Sequence, residues 1–171
     1  MPAAIQSALI ILVSAAAWTD LRTRRIPNWI TVSGAVIGLV LHIYYAGISG
    51  AIQSLAGAAL GLVIFSGLYA AGGMGAGDVK LFGAVGAFAG PQSLWLVFIF
   101  TGLLGGIAGL TLAFYRGRLQ QTLERTREIV MDMGRMRWQQ LRATADAPNA
   151  LRLPYGAVIA GGTIISLFVL R

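Results

Sequence analysis

Long apolar stretches alternate with short polar interruptions along this chain, and the stretches are too uniform for the half-polar helices of a water-soluble fold. Six are evident, at about residues 3–19, 28–46, 51–71, 77–90, 93–115 and 154–170. Those at 51–71 and 94–115 reach or exceed the ~20 apolar residues that carry a helix across a bilayer. Turn residues separate the second stretch from the third at 47–50, and GPQS at 90–93 separates the fourth from the fifth. The pattern predicts an all-α membrane protein of six transmembrane helices, forming a single membrane-embedded domain over 1–171. The opening MPAAIQSALIILVSAAAW lacks the basic segment that precedes a cleaved signal sequence, so a retained first helix is expected.

Composition agrees with that class. Of the 171 residues, 57% are hydrophobic and only 11% are charged, and mean hydropathy is +0.75. A soluble domain needs far more charge to cover its surface. The net charge of +7 then bears on orientation, because lysine and arginine concentrate in cytoplasmic loops. With six spans and both termini outside, the polar segments at 20–27, 72–78 and 116–153 face the cytoplasm. Every basic residue except Arg171 then lies inside. If the short fourth stretch only dipped into the membrane, the arginine-rich 116–153 segment would move outside, so that stretch is expected to span.

Two further patterns concern packing and partners. Gly34/Gly38, Gly57/Gly61, Gly102/Gly106 and Gly105/Gly109 recur at the spacing that lets helix backbones approach closely in lipid. The segment RGRLQQTLERTREIVMDMGRMRWQQLRATADAP, at 116–148, places Leu119, Leu123, Val130, Met133 and Leu141 roughly on one face. Seven arginines there face Glu124, Glu128, Asp132 and Asp146, for a net of +3. This predicts an amphipathic cytoplasmic helix between the fifth and sixth spans, lying on anionic membrane lipids; a solvated linker is the plainer alternative. No nucleic-acid-binding motif accompanies the charge.

Candidate chemistry is sparse. The chain has no cysteine, which excludes disulfides, thiolate zinc sites and cysteine nucleophiles. Its one histidine, His42 in GLVLHIYY, reads as an interfacial side chain. No metal or cofactor site is therefore expected. Four of the six acidic residues lie in the 116–148 segment, leaving Asp20 in AWTDLRTRRIPNW and Asp78 in GMGAGDVKLFG. Both sit at ends of apolar stretches, on the same face in the deduced topology.

An ionisable side chain at membrane depth is costly and points to function. Two neighbouring carboxylates do not both ionise easily, so the pair shares a proton. One can act as a base on water while the other protonates the carbonyl oxygen or leaving amine. This is the chemistry of aspartic peptide hydrolysis. Structural alternatives are an ion pair of Asp20 with Arg22 or Arg24, and Asp78 as a helix cap. Proton- or ion-coupled transport would also employ membrane carboxylates, and a non-catalytic assembly protein would need neither. Gly73, Gly75 and Gly77 permit an unusual turn and close backbone approach just before Asp78.

These residues resemble a known family. GAGD at 75–78, followed by Val79 and Lys80, is similar to the GxGD signature of intramembrane aspartyl proteases. DLRTRRIPN at 20–28, GxGDVK ahead of the fourth helix and LPYGAVIAGG at 153–162 together resemble the type IV prepilin peptidases over nearly the whole chain. The resemblance implies a six-helix GxGD-type bundle in a prokaryotic cell membrane. It would remove the short basic leader of pilin-like or pseudopilin precursors at the cytoplasmic face, serving pilus or secretion assembly machinery. Asp20 and Asp78 match the family's catalytic aspartates; Gly75, Gly77, Lys80, Arg25, Pro27 and Asn28 match surrounding motif positions. Pro27 and Asn28 are expected to begin the second helix, and Lys80 to orient Asp78 or simply to pair with it. Larger members carry paired CxxC zinc motifs and methylate the new N-terminus. A chain without cysteine resembles the short form, which implies peptidase activity without N-methyltransferase activity and no S-adenosylmethionine requirement.

Overall fold

The computed structural model describes residues 1–70, 74–115, 117, 124 and 154–169. Four helical elements account for nearly all of them: α1 (Ala3–Thr23), α2 (Asn28–Ala70), α3 (Ala76–Tyr115) and α4 (Tyr155–Val169). No strand occurs among the described residues. The first three helices are each long and apolar enough to cross a membrane, and α4 is a shorter apolar helix. The 116–148 segment expected to lie on lipid falls outside the described residues, Gly117 and Glu124 apart.

The sequence leads one to expect six separate helices, and the described residues form four helical elements instead. The difference lies in how tightly two turns are made. In α2 the reversal needs a single non-helical residue, Gly47, at φ 58° and ψ −137°. In α3 it needs Gly90, at φ 70° and ψ 167°, followed by Pro91. Both backbone conformations are open to glycine and closed to residues with a Cβ. The turns expected to occupy four residues each thus collapse to one, and helix runs on either side.

Contacts show that the two arms of α2 fold back on each other. Along the first arm, Asn28 meets Lys80 and Gly38 meets Ala87 and Phe88, so it runs parallel to the start of α3. Along the second arm, Ser54 meets Ala87 and Phe65 stacks on Phe82 with ring centroids 3.8 Å apart, so that arm runs antiparallel. The arm of α3 before Gly90 is therefore gripped on both sides. Every residue from 81 to 90 is buried, which makes this short arm the central rod of the bundle. Phe98, beyond the break, approaches Phe65 and Phe82 edge-on at 6.4 Å each. Such edge contacts suit the ring quadrupole.

The distribution of side chains is that of a protein in lipid. The buried face of α2 carries Thr31, Gly34, Gly38, Gly50, Ser54, Gly57 and Gly61, while Val32, Val36, Val40, Ile52, Leu55 and Val63 are exposed. Lipid tails are as apolar as those side chains, so close backbone packing rather than apolar burial holds the helices together. A Cβ at Gly57 would lie 2.9 Å from the Gly90 Cα, and one at Gly34 only 2.6 Å from Leu12 Cδ1. The glycine pairs of α2 thus pack as expected. Gly102 and Gly106 do not: nothing lies within 4 Å of either missing Cβ. They share the later arm of α3 with exposed Trp95, Ile99, Leu103, Ile107 and Phe114.

His42 is half-buried five residues before the Gly47 turn and has a backbone partner. Its Nε2 lies 2.9 Å from the Phe88 carbonyl, and Ser54 Oγ donates to the Ala87 carbonyl at 2.8 Å. The Gly90 break, and a proline without an N–H, deprive carbonyls near the end of this helical arm of their helical partners. Side chains from both arms of α2 replace them.

Candidate active site

Asp20 lies inside α1, because the helix continues past the expected end at residue 19 to Thr23. It ends when Arg24 turns left-handed, at φ 54°, and donates its N–H to the Asp20 carbonyl at 2.9 Å. The chain then reaches Asn28 in four steps, and the Pro27 carbonyl accepts the Ile30 N–H at 3.1 Å. Pro27 therefore stands just ahead of the second helix, which Asn28 opens.

Asp78 occupies the third position of α3 rather than its cap. Gly75 is the capping residue: its carbonyl accepts the Asp78 N–H at 3.1 Å, and its own N–H donates to Asp78 Oδ2 at 2.9 Å. The Asp78 side chain thus makes one half of a capping box, and the glycine's backbone carbonyl stands in for the missing cap side chain. The helix dipole also favours a negative group there. Glycine at 75 and 77 thus flanks a carboxylate pulled back against its own turn.

Connector residue Ile26 brings the two aspartates' surroundings together. A Cβ at Gly77 would lie 3.3 Å from Ile26 Cβ, and one at Gly156 would lie 3.0 Å from Ile26 Cδ1. The starts of α3 and α4 therefore close on one side chain. Gly156 sits in the first turn of α4, whose opening N–H groups lack helical partners. Its N–H donates to Asp20 Oδ2 at 2.8 Å. Only glycine permits this approach, since a Cβ would come 2.9 Å from the Asp20 Cβ.

The two carboxylates consequently share one end of the bundle and one electrostatic environment. Asp20 is 6% exposed and Asp78 8%, so neither is an ordinary surface acid. Each has its Oδ2 held by a backbone N–H, while the Oδ1 atoms have no protein partner among the described residues. The hydroxyl of Tyr155, next to Gly156, also lies within the field of Asp78.

The other motif residues divide. Lys80 Nζ donates to Asn28 Oδ1 at 2.9 Å, tying α3 to the start of α2. Arg25 is exposed, and its carbonyl accepts the Thr23 hydroxyl at 3.1 Å. Arg22 lies over the Trp18 ring, 4.4 Å from its centroid. Among the described residues, no three His, Cys, Asp or Glu side chains group as metal ligands would. Tyr155 and Gly156 both lie in the LPYGAVIAGG motif, but the sequence assigned neither of them a role. Their signal was a proline at 154 followed two positions later by glycine at an apolar helix start, a place where free N–H groups meet no side chain of their own.

Comparison with known proteins gives the chain a family. The chain is 33% identical over 126 residues to a prepilin leader peptidase/N-methyltransferase of Bacillus subtilis, covering 69% of this chain and 46% of that protein. It is 39% identical over 84 residues to the prepilin peptidase EppA of Methanocaldococcus jannaschii, covering 48% of this chain and 23% of that protein. The aligned parts are thus less than half the length of either relative. No solved structure matches significantly. The model of the type IV leader peptidase family matches residues 7–110, which contain both aspartates and the connector between α1 and α2, and the chain belongs to that family.

Proposed function

We propose that this protein is a leader peptidase that hydrolyses the bond after the short basic leader of type IV pilin-like or pseudopilin precursors, using Asp20 and Asp78 as a dyad. The observation that carries the reading is the meeting of two buried carboxylates, from α1 and α3, at one end of a bundle in a chain of this family. In this reading the helices cross the membrane six times, with α2 and α3 each crossing twice. The aspartate end faces the cytoplasm, where the connector's arginines and the 116–153 segment also lie.

Like charges in one buried site leave the pair sharing a proton. The ionised member takes a proton from water as its oxygen adds to the scissile carbonyl carbon. The other member gives its proton to the carbonyl oxygen. Collapse of the tetrahedral intermediate breaks the C–N bond, and the amine leaves with a proton. Backbone N–H groups on both Oδ2 atoms hold the carboxylates in place and leave both Oδ1 atoms for water and substrate.

Buried hydroxyls elsewhere support hydrolysis over ion transport. Among the described residues, Thr31, Ser54, Thr163 and Ser166 donate to backbone carbonyls, and the buried Thr101 Oγ1 alone has no partner, so a single available hydroxyl is left rather than a chain of them. The test is cleavage of a pilin-like precursor by wild type, Asp20→Asn and Asp78→Asn at matched membrane abundance. Both variants should leave precursor uncut, with rates reduced at least ~10³-fold. Either variant working at the wild-type rate would remove the dyad. The same wild-type reaction, given labelled S-adenosylmethionine, should transfer no methyl group to the product; transfer would refute the short-form reading.

A further inference from the structure

The protonated carboxyl of the dyad serves one lone pair of the scissile carbonyl oxygen, and hydrolysis by two carboxylates names no donor for the other. Two threonine hydroxyls flank Asp20 along α1. Thr19 Oγ1 donates to the Ala16 carbonyl at 2.9 Å, and Thr23 Oγ1 to the Thr19 carbonyl at 2.8 Å. Both are engaged by the backbone of their own helix.

Tyr155 differs. It opens α4, immediately before the residue whose N–H touches the Asp20 carboxylate at 2.8 Å. Backbone closure around Pro154, whose carbonyl accepts the Ala157 N–H at 3.1 Å, fixes that first turn. The ring is half-buried against the later arm of α3, with its Cε1 3.9 Å from where a Cβ would stand on Gly105. No hydrogen bond among the described residues occupies the hydroxyl, although it interacts electrostatically with Asp78. An unoccupied O–H donor thus belongs to the one helix that also grips Asp20.

We propose that Tyr155 is a third catalytic residue, whose phenol donates a hydrogen bond to the scissile carbonyl oxygen of the substrate while Asp20 and Asp78 activate water. The assignment rests on the peptidase reading and extends it from two helices to three. The tyrosine keeps its proton throughout. Water supplies the oxygen that joins the carbonyl carbon, the C–N bond breaks, and the dyad conducts the proton transfers. The phenol only strengthens its hydrogen bond as negative charge develops on the carbonyl oxygen ahead of the proton from the dyad, so its benefit falls on the transition state rather than on substrate binding.

The experiment compares Tyr155→Phe and Tyr155→Ala with wild type in precursor cleavage, with kcat and KM measured separately at matched membrane abundance. Phenylalanine preserves the ring's packing on α3 and removes only the O–H. Loss of one such donor is expected to lower kcat about 10²-fold, with KM nearly unchanged. A Tyr155→Phe variant with wild-type kcat would overturn the proposal, and impairment confined to Tyr155→Ala would do so as well by assigning the side chain to packing. Those results leave the dyad untouched if Asp20→Asn and Asp78→Asn remain inactive. A wild-type protein that cuts no precursor removes both readings together.

Discussion

The central helical arm of α3 begins at Ala76, two residues before Asp78, and ends at Gly90, and its two ends solve the same problem with opposite chemistry. Both leave backbone groups without helical partners. At the start, N–H groups of Gly75 and Gly156 are exposed by helix beginnings, and carboxylates accept from them. At the far end, carbonyls of Ala87 and Phe88 are exposed by the break, and Ser54 and His42 meet them. A serine hydroxyl has one proton to give, and that donor is consumed. A carboxylate has two oxygens, and one remains. The same need for backbone satisfaction therefore yields a closed structural joint at one end and surplus acid–base capacity at the other.

This contrast can be broken from either side. The larger effect is expected at the aspartate end. Gly156→Ala drives a methyl group to 2.9 Å from Asp20 Cβ, so α4 must withdraw and its N–H must leave the carboxylate. Displacement of a reacting group on that scale costs on the order of 10²-fold in rate. Precursor cleavage by membranes of matched protein content measures it, and an unchanged rate would mean the Gly156–Asp20 contact does not position the acid. The smaller effect is expected at the break. Ser54→Ala leaves the Ala87 carbonyl without its donor, at a stability cost of about 1 kcal/mol. Thermal unfolding in detergent should register that loss, while cleavage per folded molecule stays the same. A Ser54→Ala protein that folds normally yet fails to cleave would show that the two ends are not separable.

Much of the fold was legible because lipid imposes length and periodicity on a helix. The starts expected at residues 28 and 154, and the end expected at 115, lie within a residue of the observed Asn28, Tyr155 and Tyr115. Asp20 and Asp78 could be put at a common end from the arginine pattern alone, and the structure brings their elements together there. What sequence could not supply was the identity of neighbours. His42 finds its partner 46 residues away, a contact set by the parallel approach of two helices rather than by any local pattern. Gly102 and Gly106 have the same spacing as Gly57 and Gly61, yet one pair is open and the other packs on backbone. Both settings suit glycine, so spacing does not separate them. Turn residues at 47–50 and 90–93 were visible, but the compression of each turn into one glycine follows from backbone angles that composition does not encode. Gly156 lies in the LPYGAVIAGG motif yet drew no role for a related reason: a backbone N–H carries no residue signature.

The account's central claim is that Asp20 and Asp78 meet at one end of the bundle, away from the joint at Ser54. The chain has no cysteine, so paired substitutions can be cross-linked without background. An Asp20→Cys/Asp78→Cys protein and an Asp20→Cys/Ser54→Cys protein would be treated in membranes with a thiosulfonate reagent that bridges only a few ångströms, then read by intact mass. Nine residues of helix separate Asp78 from Ala87, the neighbour of Ser54, about 14 Å of rise. The account predicts efficient bridging of the first pair and none of the second. Failure of the 20–78 pair to bridge, in a protein whose single cysteines both react, would contradict it.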